Sequence, residues 1–139
     1  MMINTPKIII VGLLCMAFPA LGEEFVTADE FEAMSLNKTL YFNAGGNFHG
    51  AEQYFPNRLV TWKFANGDCD QGRWYAEADA ICFTYETNPV PQCWNFIRTD
   101  TGFYARQLGA APENDLYLNF INTEELLCEA PFLGASFSQ

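Results

Sequence analysis

Basic charge is scarce in this chain. Seven lysines and arginines stand against 17 aspartates and glutamates, with a single histidine, for a formal charge of −10. A surface this acidic repels phosphate, which excludes nucleic acid as a natural partner and disfavours adsorption to anionic membranes. No Cys-x-x-Cys pair occurs and His49 is the lone histidine, so the sequence offers no zinc-type ligand set and implies no metal or other cofactor. There is no Gly-x-Ser-x-Gly elbow to present a nucleophilic serine. No apolar run reaches the roughly 20 residues that a membrane-spanning helix requires. The acidic residues are scattered rather than clustered, which is the pattern of a solvated surface.

What is there begins with an export signal. Lys7 is the only charged side chain in residues 1–22, residues 8–18 form an apolar run, and Ala20-Leu21-Gly22 is a small-x-small cleavage site. Leu14, not a small residue, precedes Cys15, which argues against lipidation. Residues 1–22 are therefore expected to be cleaved, residues 23–128 to form one domain, and residues 129–139, which lose all alternation, to be a loose tail. Cleavage would remove Lys7 and no acid, leaving a formal charge of −11.

Four cysteines then remain: Cys69, Cys82, Cys93 and Cys128. An even number in an exported domain predicts two disulfides. The runs around Cys82 and Cys93 flank a Pro-rich turn centred near Val90, so the two cysteines stand nearly opposite each other. A cross-strand bridge between them is favoured, leaving Cys69 for Cys128. The alternative is Cys69 with Cys82 and Cys93 with Cys128.

Residues 27–34 carry the one helical pattern: Thr27 and Glu30 form a capping box, Phe31 and Met34 share a face, and Asn37 is a natural stop. From Lys38 onward the period changes to two. Apolar Val60, Trp62 and Phe64 alternate with Thr61 and Lys63; Ile81, Phe83 and Tyr85 with Cys82 and Thr84; Trp94 and Phe96 with Cys93 and Asn95; Leu116, Leu118 and Phe120 with Tyr117 and Asn119. With residues 39–42, 51–55, 72–76 and 103–108 this makes about eight short strands. The connections are short and rich in Gly, Asn, Asp and Pro, which favours antiparallel neighbours. About eight one-faced antiparallel strands bury that face and remove their edges by closing into an up-and-down barrel. The predicted fold is all-β: such a barrel, one short N-terminal helix, two disulfides.

The residues that could carry chemistry are few. His49 lies in a turn-like Asn47-Phe48-His49-Gly50 and reads as an exposed loop histidine. Asp68 and Asp70 are a carboxylate pair of the kind any acidic chain offers. Residues 66–77 partly mimic a calcium loop, but Gln71 stands where that loop needs glycine, so a polar hairpin turn is expected. No catalytic residue is assigned and the chain is read as non-enzymatic. The aromatic residues on the predicted inner face either fill the barrel or line a pocket; the candidate lining residues are Trp62, Trp74, Phe83, Tyr85, Trp94 and Phe96.

The segments Thr27-Ala28-Asp29-Glu30-Phe31, Gly50-Ala51-Glu52-Gln53-Tyr54, Gly72-Arg73-Trp74-Tyr75, Ile81-Cys82-Phe83 and Gln92-Cys93-Trp94 resemble those of small secreted proteins of alphaproteobacteria, notably marine ones. That resemblance implies a periplasmic or secreted protein of a Gram-negative bacterium and carries no activity. Size, export, disulfides and strand count more distantly resemble lipocalin-like barrels and periplasmic lysozyme inhibitors. The expectation is a monomeric exported barrel, without stable membrane insertion, that binds a small apolar ligand or a protein. Alternatives are inhibition of a basic enzyme such as lysozyme, suggested by the charge, and a small hydrolase.

Overall fold

The computed structural model describes residues 22–128. The expected signal, apart from Gly22, and the expected C-terminal tail lie outside the described residues. Helix α1 (Ala28–Ser35) is followed by eight strands: β1 (Thr39–Ala44), β2 (Asn47–Tyr54), β3 (Leu59–Phe64), β4 (Cys69–Glu77), β5 (Ala80–Tyr85), β6 (Gln92–Thr99), β7 (Gly102–Gln107) and β8 (Leu116–Asn122). Each strand pairs antiparallel with the next, and β8 closes on β1, giving a closed up-and-down barrel. The predicted fold class is therefore observed.

The capping box is formed: the Glu30 amide donates to Thr27 Oγ1, and the Thr27 amide donates to Glu30 Oε2. Asn37 ends the segment with a positive φ of 58°. Strands β1 and β2 turn through Gly45 and Gly46, both at positive φ, as a two-residue hairpin demands. His49 is not in a turn as its neighbours suggested; it belongs to β2, which begins immediately after that tight hairpin.

Two bulges and one short pairing interrupt the regular barrel, the first bulge making His49 an extra residue of β2 opposite β1. On β8, Leu118 pairs with Phe42 and Phe120 with Tyr41, so Asn119 is an extra residue opposite β1. Such a bulge switches the side-chain phase. Phe120, predicted inside, is instead 47% exposed and stacks on Tyr41 with ring centroids 4.1 Å apart. Between β5 and β6 only three residue pairs form, Ile81 with Trp94 through Phe83 with Gln92. The chain entering α1 uses the unpaired half of β6: the Val26 amide donates to the Phe96 carbonyl and the Arg98 amide to the Glu24 carbonyl.

Both favoured disulfides are present, Cys69–Cys128 and Cys82–Cys93. Cys82 and Cys93 are direct cross-strand partners. The other bridge ends a strap. After β8 the chain runs outside the barrel, accepting from Thr39 Oγ1 on β1 at the Glu124 carbonyl, donating from the Leu126 amide to Gln53 Oε1 on β2, and accepting from Lys63 Nζ on β3 at the Leu127 carbonyl. Cys128 then locks onto Cys69 of β4.

Because α1 precedes β1, it sits at the end that holds the β2–β3, β4–β5 and β6–β7 connections. Phe31 plugs this end. It is fully buried, with its ring 4.6 to 5.4 Å from those of Phe96, Trp74 and Tyr54. Aromatic packing of this kind fills the helix-side half of the interior.

Candidate functional site

The other half is not filled. Beyond Phe83 and Phe96, which floor it, a cavity of about 290 Å³ runs toward the end opposite α1. Its mouth is framed by His49 near the β1–β2 hairpin, Phe64 before the β3–β4 turn, and Thr87 and Asn88 in the β5–β6 loop. The walls come from the alternation read in the sequence: Trp62 from β3, Phe83 and Tyr85 from β5, Trp94 and Phe96 from β6. Ala105 on β7, the cross-strand neighbour of Phe96, and Leu116 on β8 continue the wall. Alanine there, beside Phe96, leaves space that a larger side chain would take up.

Five of the six candidate lining residues thus meet around one cavity. Trp74 is not with them. It is 4% exposed in the helix-side half, packed edge-on to Phe31, with the Arg58 guanidinium 4.3 Å from its ring centroid. The phase that puts Trp74 inside does not say at what height along the barrel it falls. Residue height depends on strand stagger, which only the closed sheet defines.

Room for Trp62 is made by Gly50. A Cβ on Gly50 would lie 2.2 Å from the edge of the Trp62 ring and 2.8 Å from the Lys63 carbonyl oxygen, so β2 carries glycine where the indole crosses it. Without that approach the ring would be pushed into the cavity.

The cavity wall holds two acids that the apolar pattern did not reveal. Glu52 is 3% exposed and Asp70 is 5% exposed. Glu52 stands between the two halves of the interior. Its Oε2 accepts from the Tyr54 hydroxyl at 2.9 Å and its Oε1 from the Tyr85 hydroxyl at 2.6 Å. Burial in apolar surroundings raises its pKa to about 7, although both tyrosine hydrogen bonds favour the charged form. Burial and the neighbouring carboxylate in turn push both tyrosine pKa values up, so the phenols remain donors. Asp70 accepts from the amide and the hydroxyl of Thr87, pinning the β5–β6 loop to β4. A signal for both acids existed. Glu52 is in phase with Tyr54 on β2, and Asp70 with Trp74 on β4, so each sits on an inward position of its strand.

No protein family, curated protein or solved structure matches this chain.

The remaining sequence candidates are dispersed. His49 is exposed at the rim with its ring 5.9 Å from that of Trp62. Asp68 sits in a turn, where its amide donates to Asn66 Oδ1 and its carboxylate accepts from Asn66 Nδ2. Asp70 points inside and Cys69 is bridged, so residues 66–77 do not converge on a calcium ion. Among the described residues the one grouping of three metal-ligand types is Glu77 with Cys82 and Cys93. Both sulfurs are tied in a disulfide, which leaves a single carboxylate. No helix among the described residues is long and apolar enough to cross a membrane.

Proposed function

We propose that this protein is a non-enzymatic, exported binding module that holds a small ligand in the open half of its barrel. One observation carries the reading: a cavity of about 290 Å³, walled mainly by aromatic side chains with a few polar groups converging on it, in a barrel otherwise packed. Such a combination is the usual form of a small-molecule site, and eight strands enclose space for about one small ligand. Two disulfides and a closed barrel make the walls rigid, so little order need be gained on binding. The bridges also fit an oxidising compartment, periplasmic or extracellular.

We read the cavity as binding rather than catalytic: two tyrosine hydroxyls hold Glu52 as an acceptor in the wall, and His49 stands away from it at the mouth.

The three tryptophans provide the test. NMR titration with small neutral aromatic compounds, indole and toluene among them, should move the indole N–H signals of Trp62 and Trp94 and leave that of Trp74 in place. Shifts confined to the outer face, or no shift at either cavity tryptophan, would overturn the reading.

A further inference from the structure

We propose that the cavity takes a small protonated amine, its ammonium group on Glu52 and its apolar body between the aromatic walls. This rests on the reading of the cavity as a ligand site and names the chemistry of that ligand.

The sign of the wall comes first. Two acids, Glu52 and Asp70, are buried in it, and neither lysine nor arginine stands among the lining residues. A carboxylate held in apolar surroundings without a cation is costly. An anionic ligand would meet two acids and no base, and a neutral apolar one would make no use of them. A cation is the complement of such a wall.

Acceptor capacity narrows the class. An ionised carboxylate offers about four lone-pair sites. Tyr54 and Tyr85 each fill one, on different oxygens. Acceptor sites are left for the N–H donors of an ammonium group. The surrounding rings favour the same charge. Tyr85 stacks on Phe83, Trp62 lies between Phe42 and Phe64, and all five rings line the space. Cations bind the faces of such rings, most strongly where water is excluded. The acidic surface of the whole protein enriches cations at the mouth.

Size limits the rest of the molecule. The cavity has roughly twice the ~150 Å³ that accommodates a benzene, so one ring with a short aminoalkyl chain fills it. The titratable groups around Glu52 are Tyr54 and His49 on β2, Asp70 on β4 and Tyr85 on β5. The tyrosines donate to it and Asp70 shares its sign. An arriving ammonium therefore drives the proton off Glu52, and binding near pH 6 should release protons to the buffer.

Calorimetric titration of the oxidised protein with three probes of like shape and different charge tests this: phenethylamine, phenethyl alcohol and hydrocinnamate. The amine should bind at least tenfold more tightly than the alcohol, and hydrocinnamate should give no heat. Glu52→Gln should weaken the amine at least tenfold and the alcohol by a much smaller factor. Should that variant not fold, Asp70→Asn should weaken the amine by a smaller factor. Equal affinity for amine and alcohol, or tighter binding of hydrocinnamate, overturns the amine proposal and leaves the cavity as a ligand site. No binding of any probe, with neutral compounds still shifting Trp62 and Trp94, has the same consequence. No binding together with no tryptophan shift overturns both readings.

Discussion

Glu52 and the two inward tryptophan environments decide what single side chains do here. A carboxyl whose folded pKa lies near 7, against about 4.5 when unfolded, binds its proton more tightly in the folded state. Its contribution to stability is therefore fully present below about pH 4.5 and lost as pH rises toward 7. By linkage the loss is on the order of 3 kcal/mol. Urea unfolding at pH 5 and pH 8 should show the wild type losing more stability than Glu52→Gln; equal losses would place the titration elsewhere. Trp74 and Trp94 make a second contrast. Trp74 is buried against Phe31 while Trp94 borders the cavity and is only half-buried. Trp74→Ala should cost roughly 3–5 kcal/mol, as for other buried large aromatics, and Trp94→Ala distinctly less, because part of its ring already faces open space. Comparable losses in denaturant midpoint would contradict the division into filled and open halves.

Among the elements, the β7–β8 seam is the weakest in backbone terms, with two residue pairs, Tyr104 with Tyr117 and Ala105 with Leu116. A side-chain clamp compensates. Arg106 on β7 donates from Nε and an Nη to both oxygens of Asp115, at 2.8 and 2.6 Å, just before β8 begins. Asp115 is buried, so removing the arginine leaves an unpaired buried charge. Arg106→Ala should destabilise by about 3 kcal/mol, and hydrogen exchange should rise first at Ala105 and Leu116. Exchange rising uniformly around the barrel would show that the seam has no separate clamp. Helix α1 depends on its cap in the same local way. Thr27→Ala should cost about 1 kcal/mol, less than any change to Phe31, because the helix is held mainly by the burial of that ring.

For the molecule as a whole, the bridges act on loops of different length. Cys69–Cys128 spans 59 residues and Cys82–Cys93 spans 11. On chain-entropy grounds the first contributes about 4 kcal/mol and the second about 3 kcal/mol. The long bridge also holds the strap across β1, β2 and β3, so replacing Cys69 and Cys128 with serine should speed exchange of the Leu126 amide, which donates to Gln53 Oε1, as well. Thiol titration of unfolded, unreduced protein should read zero for these four cysteines. A reactive thiol among them would show an unformed bridge, and strap residues unaffected by the double replacement would show that their hydrogen bonds stand without it.

The strand count, the helix with its cap, the closed topology and both disulfides were legible in the residues. Each depends on local quantities: the period of apolar side chains, turn chemistry in short gaps, and the distance of two cysteines from the centre of one hairpin. The same alternation placed Trp62, Phe83, Tyr85, Trp94 and Phe96 on the inner face, where they now line one cavity. What alternation cannot express is height along the barrel and exact phase past a bulge. Trp74 fell on the plugged side because of strand stagger, and Phe120 went outside because Asn119 adds a residue to β8. Glu52 was overlooked, and Asp70 was read only as a carboxylate beside Asp68, because an apolar pattern discards acids, although both keep the phase of an aromatic neighbour. Only the closed barrel brings Glu52 beside Tyr85 from three strands away, buries it without a basic partner, and leaves space in front of it. Those are properties of non-local packing, and the candidate site is made of them.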